Sequence, residues 1–175
     1  MGLSETPVPR ATVLNRSHAI LVYDEAKGEL RIEGKRYAAI QVNEMCQHLD
    51  SLVGPSLAET IINNHQRRQG VENAERIREL NPNAKKEEMI RVLTEDDRIA
   101  GFGIPKVTIT GGRERLAEFE DYNPVITATE GAGKVFIVSY WAGALSVLLG
   151  QEVDGTNIVY DPAKNALSCS FLKRR

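Results

Sequence analysis

Val135 to Gly150 is the longest apolar run in the chain, broken only by Ser139, Ser146 and the glycines Gly143 and Gly150. A bilayer span needs about 18–20 clean apolar residues, so this shorter, hydroxyl-bearing run predicts a buried core helix over 135–149 and no membrane span. Phe136, Tyr140 and Trp141 open that helix, and Ala142-Gly143-Ala144 follows them. Small residues at 142–144 let a second backbone or a flat ligand approach closely, while the three aromatics can wall a pocket. The same stripe also suits a plain core helix.

Composition narrows the surroundings. Of 175 residues, 42% are hydrophobic and 26% charged, with 22 basic and 24 acidic side chains and a net charge of −2. This fits one soluble domain, excludes a disordered chain, and leaves no bulk positive charge for nucleic acid. Lys173-Arg174-Arg175 and Arg67-Arg68 are too short to reverse that. Two cysteines, Cys46 and Cys169, cannot staple a secreted mini-scaffold, so a reducing, cytoplasmic setting is expected. Met1-Gly2-Leu3-Ser4-Glu5-Thr6 fits the loose myristoylation pattern, but no polybasic stretch reinforces it and one acyl chain anchors only marginally.

Along the chain, residues 1–17 lack periodicity and read as a flexible tail. A hairpin follows, with strands at Ala19–Tyr23 and Glu29–Glu33, where Leu30 and Ile32 alternate with charges. Val42, Met45, Cys46, Leu49, Leu52 and Val53 mark a helix with Asn43 as its N-cap, ended by Gly54-Pro55. Ser56-x-x-Glu59 offers a capping box for a second helix carrying Leu57, Ala58, Ile61 and Ile62. Separate helices are expected over Val71–Leu80 and from about Asn83, divided by Asn81-Pro82-Asn83. After residue 104 the period becomes strand-like: Val107 and Ile109, then Ala117 and Phe119 beyond Gly111-Gly112. A closing hairpin turns at Asp161–Asn165, with Leu167, Cys169 and Phe171 facing inward. Helices and strands are partly segregated, which predicts an α+β domain: a helical block on an antiparallel sheet, an N-terminal hairpin (18–42), a core (43–175) and the apolar helix at its centre.

Catalytic and metal motifs are weak. Gly131-Ala132-Gly133-Lys134 lacks the first glycine and the final hydroxyl of a P-loop, though it leads into a helix N-terminus able to hold an anion. Gly101-Phe102-Gly103 follows a helix instead of a strand and reads as a C-cap. Cys46 and His48 point to different helix faces, and His65 stands alone on the inner face of its helix. Asp96-Asp97 reads as a cation pair or as a cap after Thr94. Acids and bases such as Glu72, Glu75-Arg76, Glu87 and Arg91 fall on solvated helix faces.

The order of these pieces resembles the 4-vinyl reductase domain family, which shares its fold with Bet3-type subunits of the TRAPP tethering complex. The similar features are Gly101-Phe102-Gly103, the Val107-Thr-Ile-Thr strand, Asn123-Pro124-Val125-Ile126, Tyr140-Trp141-Ala142-Gly143-Ala144-Leu145 and Cys169-Ser170-Phe171, with Gly34-Lys35-Arg36-Tyr37 upstream. The resemblance covers about residues 34–173. It implies a small-molecule or hydrocarbon-binding regulatory module, of the kind found in aromatic-responsive transcription activators, or a role in bacteriochlorophyll synthesis; many members are dimers. Some carry a zinc site of cysteines and a glutamate. Here only Cys169 matches, the other cysteine positions falling near Tyr160 or Asp161 and near Lys134, so no metal is expected.

The expectation is therefore a non-catalytic, homodimeric module that binds an apolar or aromatic small molecule and acts through a partner chain, without catalytic residues or cofactor. Its expected ligand-binding residues are Phe102, Phe136, Tyr140 and Trp141. Alternatives are an accessory protein of tetrapyrrole metabolism, which would have to borrow its hydride source, and an assembly subunit of a larger protein complex with a filled core.

Overall fold

The computed structural model describes residues 41–174 in full and, before them, the backbone of four strands: β1 (Thr12–Arg16), β2 (Ala19–Asp24), β3 (Glu29–Ile32) and β4 (Lys35–Tyr37). The chain divides into two compact units, 1–40 and 41–175. In the first, the strands run β1-β2-β3-β4, each antiparallel to the next. The expected hairpin is the β2–β3 pair, with Leu21 opposite Ile32 and Asp24 opposite Glu29. β1 lies inside the stretch expected to be a tail: Thr12 and Val13 are β-branched, and Leu14 pairs with Leu21. The rest of that tail, and the side chains of Leu30 and Ile32, lie outside the described residues.

The second unit follows the order α1 (Val42–Val53), α2 (Pro55–Leu80), α3 (Lys86–Ala100), β5 (Ile104–Ile109), β6 (Arg115–Tyr122), α4 (Gly131–Leu149), β7 (Val153–Asp161) and β8 (Ala166–Lys173). Its sheet runs β5-β6-β8-β7 and is antiparallel throughout, with helices packed on it, so the unit is α+β. α4 is the expected central helix. Sixteen of its 19 residues are buried, which is why a helix long and apolar enough to cross a membrane sits inside the protein instead.

Two local readings are corrected. Asn43 does not cap α1; Gln41 holds the cap position, and the Asn43 amide donates to the Val125 carbonyl at 2.9 Å. Ser56 makes no cap either: α2 starts one residue earlier, with Gly54 before it and Pro55 in the first turn, where a missing N–H costs nothing. A larger difference is that α2 is one 26-residue helix, where two were expected. Its buried positions are Ala58, Ile62, Gly70, Ala74 and Ile77, a sparse stripe of mostly small residues that periodicity alone does not reveal.

The reason for that stripe is α4. A Cβ on Gly70 would fall on the Tyr140 carbonyl, and one on Gly143 would fall on the Arg67 carbonyl. Two glycines facing two carbonyls let the helix backbones touch, and Ala74 and Ala144, both fully buried, extend the contact. Arg67 then ties α2 to β7: its guanidinium donates to Asp154 at 2.9 Å and to the Val153 carbonyl at 2.8 Å.

Overpacking of this kind costs about 1–3 kcal/mol, which at about 2–4 °C per kcal/mol for a chain of this size means that Gly143→Val lowers the thermal midpoint by about 2–12 °C in a circular-dichroism melt. Ser56→Ala, which removes no capping bond, shifts stability by less than about 0.5 kcal/mol in the same experiment.

Candidate functional site

α4 presents its aromatics in two directions. Phe136 joins α1 and α2 in a cluster with Val42, Cys46, Ala58 and Ile62. Tyr140 and Trp141 belong to a larger cluster with α3 and the inner face of the sheet, including Leu93, Phe119 and Phe171. Phe136 and Tyr140, about one turn apart, share nearly the same face and reach different clusters because of the advance of about 6 Å along the axis, while Trp141 is rotated on by a further 100°. One helix therefore supplies aromatics to both clusters.

Phe102 joins them. It follows Gly101, the left-handed cap that ends α3 as the sequence predicts, and packs against both clusters. Its ring lies 6.1 Å from that of Phe136. On the other side Trp141 stands 5.9 Å from both Tyr140 and Phe119, and Phe119 meets Phe171 edge-on at 6.2 Å. Of the four expected wall residues, Phe136, Tyr140 and Trp141 are buried and Phe102 alone is partly exposed. Phe102 is thus the one partly exposed ring packed on this buried interior.

Two carboxyl groups are set into this interior. Asp97, read from sequence as half of a cation pair or a cap, sits inside α3 and accepts the Trp141 indole N–H at 2.9 Å in full burial. Burial pushes its pKa well above the ordinary carboxylate range, opposed by the indole bond and reinforced by the charges of Asp121 and Asp96. Asp121 is 1% exposed, on the inward face of β6 beyond Ala117 and Phe119. Burial pushes it up to about 7, against one backbone hydrogen bond from Ile104. Asp121 Oδ1 has no hydrogen-bond partner among the described residues. The signal for Asp121 was present in the sequence: the alternation of Ala117 and Phe119 continues to 121.

The remaining candidates are accounted for. Cys46 and Cys169 are buried thiols; burial raises Cys46 to about 11 and Cys169 further still. His65 is exposed, not on the inner face, because α2 turns Ala58 and Ile62 inward and leaves Ile61 at 42% exposure. No group of three or more metal-donor side chains occurs among the described residues. The N-terminus of α4, expected to be open to an anion, is met by the chain's own Asp50, which accepts the Ala132 N–H at 2.9 Å. A polar groove of about 380 Å³ runs between α2, α4 and β7, lined by Asn63, Arg67, Lys134, Ser139 and Thr156 among others. Arg67 is engaged there by Asp154 and Glu152, and Ser139 donates to Asn63 at 2.7 Å.

No family model and no curated protein matches the sequence. The fold, however, is shared with the crystal structure of the phenol-responsive sensory domain of the transcription activator PoxR with phenol. The TM-score is 0.67 at 12% sequence identity, over 87% of this chain and 84% of that one. At that identity the likeness establishes the architecture.

Removing the indole donor leaves Asp97 buried without it, so Trp141→Phe destabilises by about 1–3 kcal/mol in a denaturant titration, and less when Asp97 is also changed to Asn. For Asp121 the folded pKa is raised above its unfolded value near 4, so the folded chain holds a proton that the unfolded chain releases. Its contribution to stability is complete below about pH 4 and is lost as pH rises to about 7. Asp121→Asn therefore gains on the parent protein over that interval, measured as the difference between their melting curves.

Proposed function

We propose that this chain is a non-catalytic regulatory module of the 4-vinyl reductase type that binds a small aromatic molecule and passes the signal to a partner chain. Support comes from the shared fold with a phenol-responsive sensory domain. The observation that carries the reading is Phe102, a partly exposed aromatic side chain packed on two buried hydrophobic clusters, one of them rich in aromatic rings and lying against Asp97. Ligand sites of this class are apolar enclosures with a few placed polar groups, and the interior between α3, α4 and the sheet has that character. Phe102 is the side chain that swings to admit a ring, while Phe136, Tyr140 and Trp141 form the wall.

The homodimer and the cytoplasmic setting belong to the same proposal. A sensory domain needs a second body to act on, and self-association supplies the simplest one. The buried, reduced thiols accord with a reducing compartment.

Trp141 is the single tryptophan of the chain, so its fluorescence reports occupancy directly. Titration with phenol, toluene and larger aromatics changes this emission saturably, and Phe102→Ala weakens the binding by about 3–10-fold through loss of one ring contact. Native mass spectrometry of protein purified from its own host shows a retained aromatic or apolar mass on a dimer. An empty chain that responds to none of these compounds overturns the proposal, and a retained tetrapyrrole replaces it with the tetrapyrrole alternative.

A further inference from the structure

Asp97 and Asp121 form a buried acidic pair with no base. Each is at most 5% exposed, Asp97 feels the charge of Asp121 across from β6, and neither forms an ion pair with a Lys or Arg among the described residues. Asp97 is partnered by the Trp141 indole. Asp121 is not equally served, since its Oδ1 is buried and unpartnered. A buried acceptor left without a donor costs free energy, and two buried acids without a cation cost more, so such a pair in a folded protein marks a place where something else supplies the donor.

The surroundings narrow what that donor is. The Asp121 carboxyl lies directly against Gly103, where a Cβ would collide with it, and Gly103 adopts a φ of 139° that disfavours other residues. Bare backbone at 103 puts the carboxyl within one residue of Phe102, the partly exposed ring on the aromatic interior. A group that entered beside Phe102 would meet aromatic faces on its way to Asp121, and such faces also favour a cation. From this geometry we infer that Asp121, backed by Asp97, anchors the amino group of a small aromatic amine, its ring lying among Phe102, Phe119 and Trp141. An ammonium donates to Asp121 Oδ1 and compensates the charge of the pair, whereas a hydroxyl supplies only the hydrogen bond. This inference deepens the small-molecule reading above and rests on it.

The test compares benzylamine with its near-isosteres benzyl alcohol and ethylbenzene on the full chain, by Trp141 fluorescence and calorimetry at pH 8. Benzylamine binds at least about tenfold tighter than either, as expected for a hydrogen bond to a charged group. In Asp121→Asn, whose fold is checked by circular dichroism, that preference shrinks to about twofold or less. In parent protein labelled with carbon-13 at aspartate carboxyls, the Asp121 resonance moves on adding benzylamine and stays in place with ethylbenzene, a readout that needs no variant. Equal binding of all three compounds, a preference that survives Asp121→Asn, or an unmoved Asp121 resonance overturns the amine anchor and leaves the small-molecule reading standing. Failure of every compound, phenol included, overturns both.

Discussion

The direct contact of α2 with α4 governs the rest of the core. Gly70 and Gly143 each face a carbonyl of the opposite helix, leaving no room for a side chain between the two backbones. Interiors are close-packed, so this contact fixes the rotation of α4 about its axis as well as its distance. With Gly143 turned to α2, Tyr140 is held near Asn73, whose amide donates to the phenol oxygen at 3.3 Å. Trp141, one residue on, is carried round to α3 and the sheet, where Asp97 and Phe119 meet it. A single close approach thereby sends adjacent aromatics to different neighbours.

The polar groups in the core divide into two kinds. Arg67 is multiply engaged: two carboxylates, a hydroxyl and a carbonyl accept from it, and it ties the β7 edge of the sheet to α2. Such a network rigidifies because its charges and hydroxyl are paired with one another. The Asp97–Asp121 pair is the opposite case, a pair of buried acids with one oxygen unserved. Natural folds carry such unfavourable features where binding compensates them, at the cost of stability in the empty state. The pair also lies at the end of the sheet nearest Phe102, away from the network that makes the other end rigid.

Much of the architecture was legible in residue order. The alternation of Leu167, Cys169 and Phe171 put those side chains inward, Gly101 ended α3 in the left-handed conformation, and the Asp161–Asn165 turn formed where its composition placed it. The break expected within α2 did not occur, because glycine in a helix signals a weak point locally while here it is the contact that tertiary packing requires. The capping residues failed for a similar reason: Asn43 found a better acceptor in Val125, which no local rule anticipates. Among candidate site residues, the aromatics were visible as a stripe; Asp97 was legible only as half of a cation pair or a cap, and Asp121 only as the next inward position after Ala117 and Phe119. That the two acids meet across α3 and β6 depends on packing between elements, which no local pattern shows.

By itself, then, the sequence determined that α4 is central, since a helix apolar on all sides has nowhere to go except inside. It also determined the antiparallel sheet, because period-two patterns joined by short turns allow little else. Only the tertiary structure decided which way each aromatic on α4 faces, that Trp141 is bonded to a buried carboxyl, and that Asp121 is left with an open acceptor. Those outcomes depend on helix rotation and on the distance between elements far apart in the chain. Both are set by the Gly70 and Gly143 contact, 73 residues apart in sequence and touching opposite backbones in space.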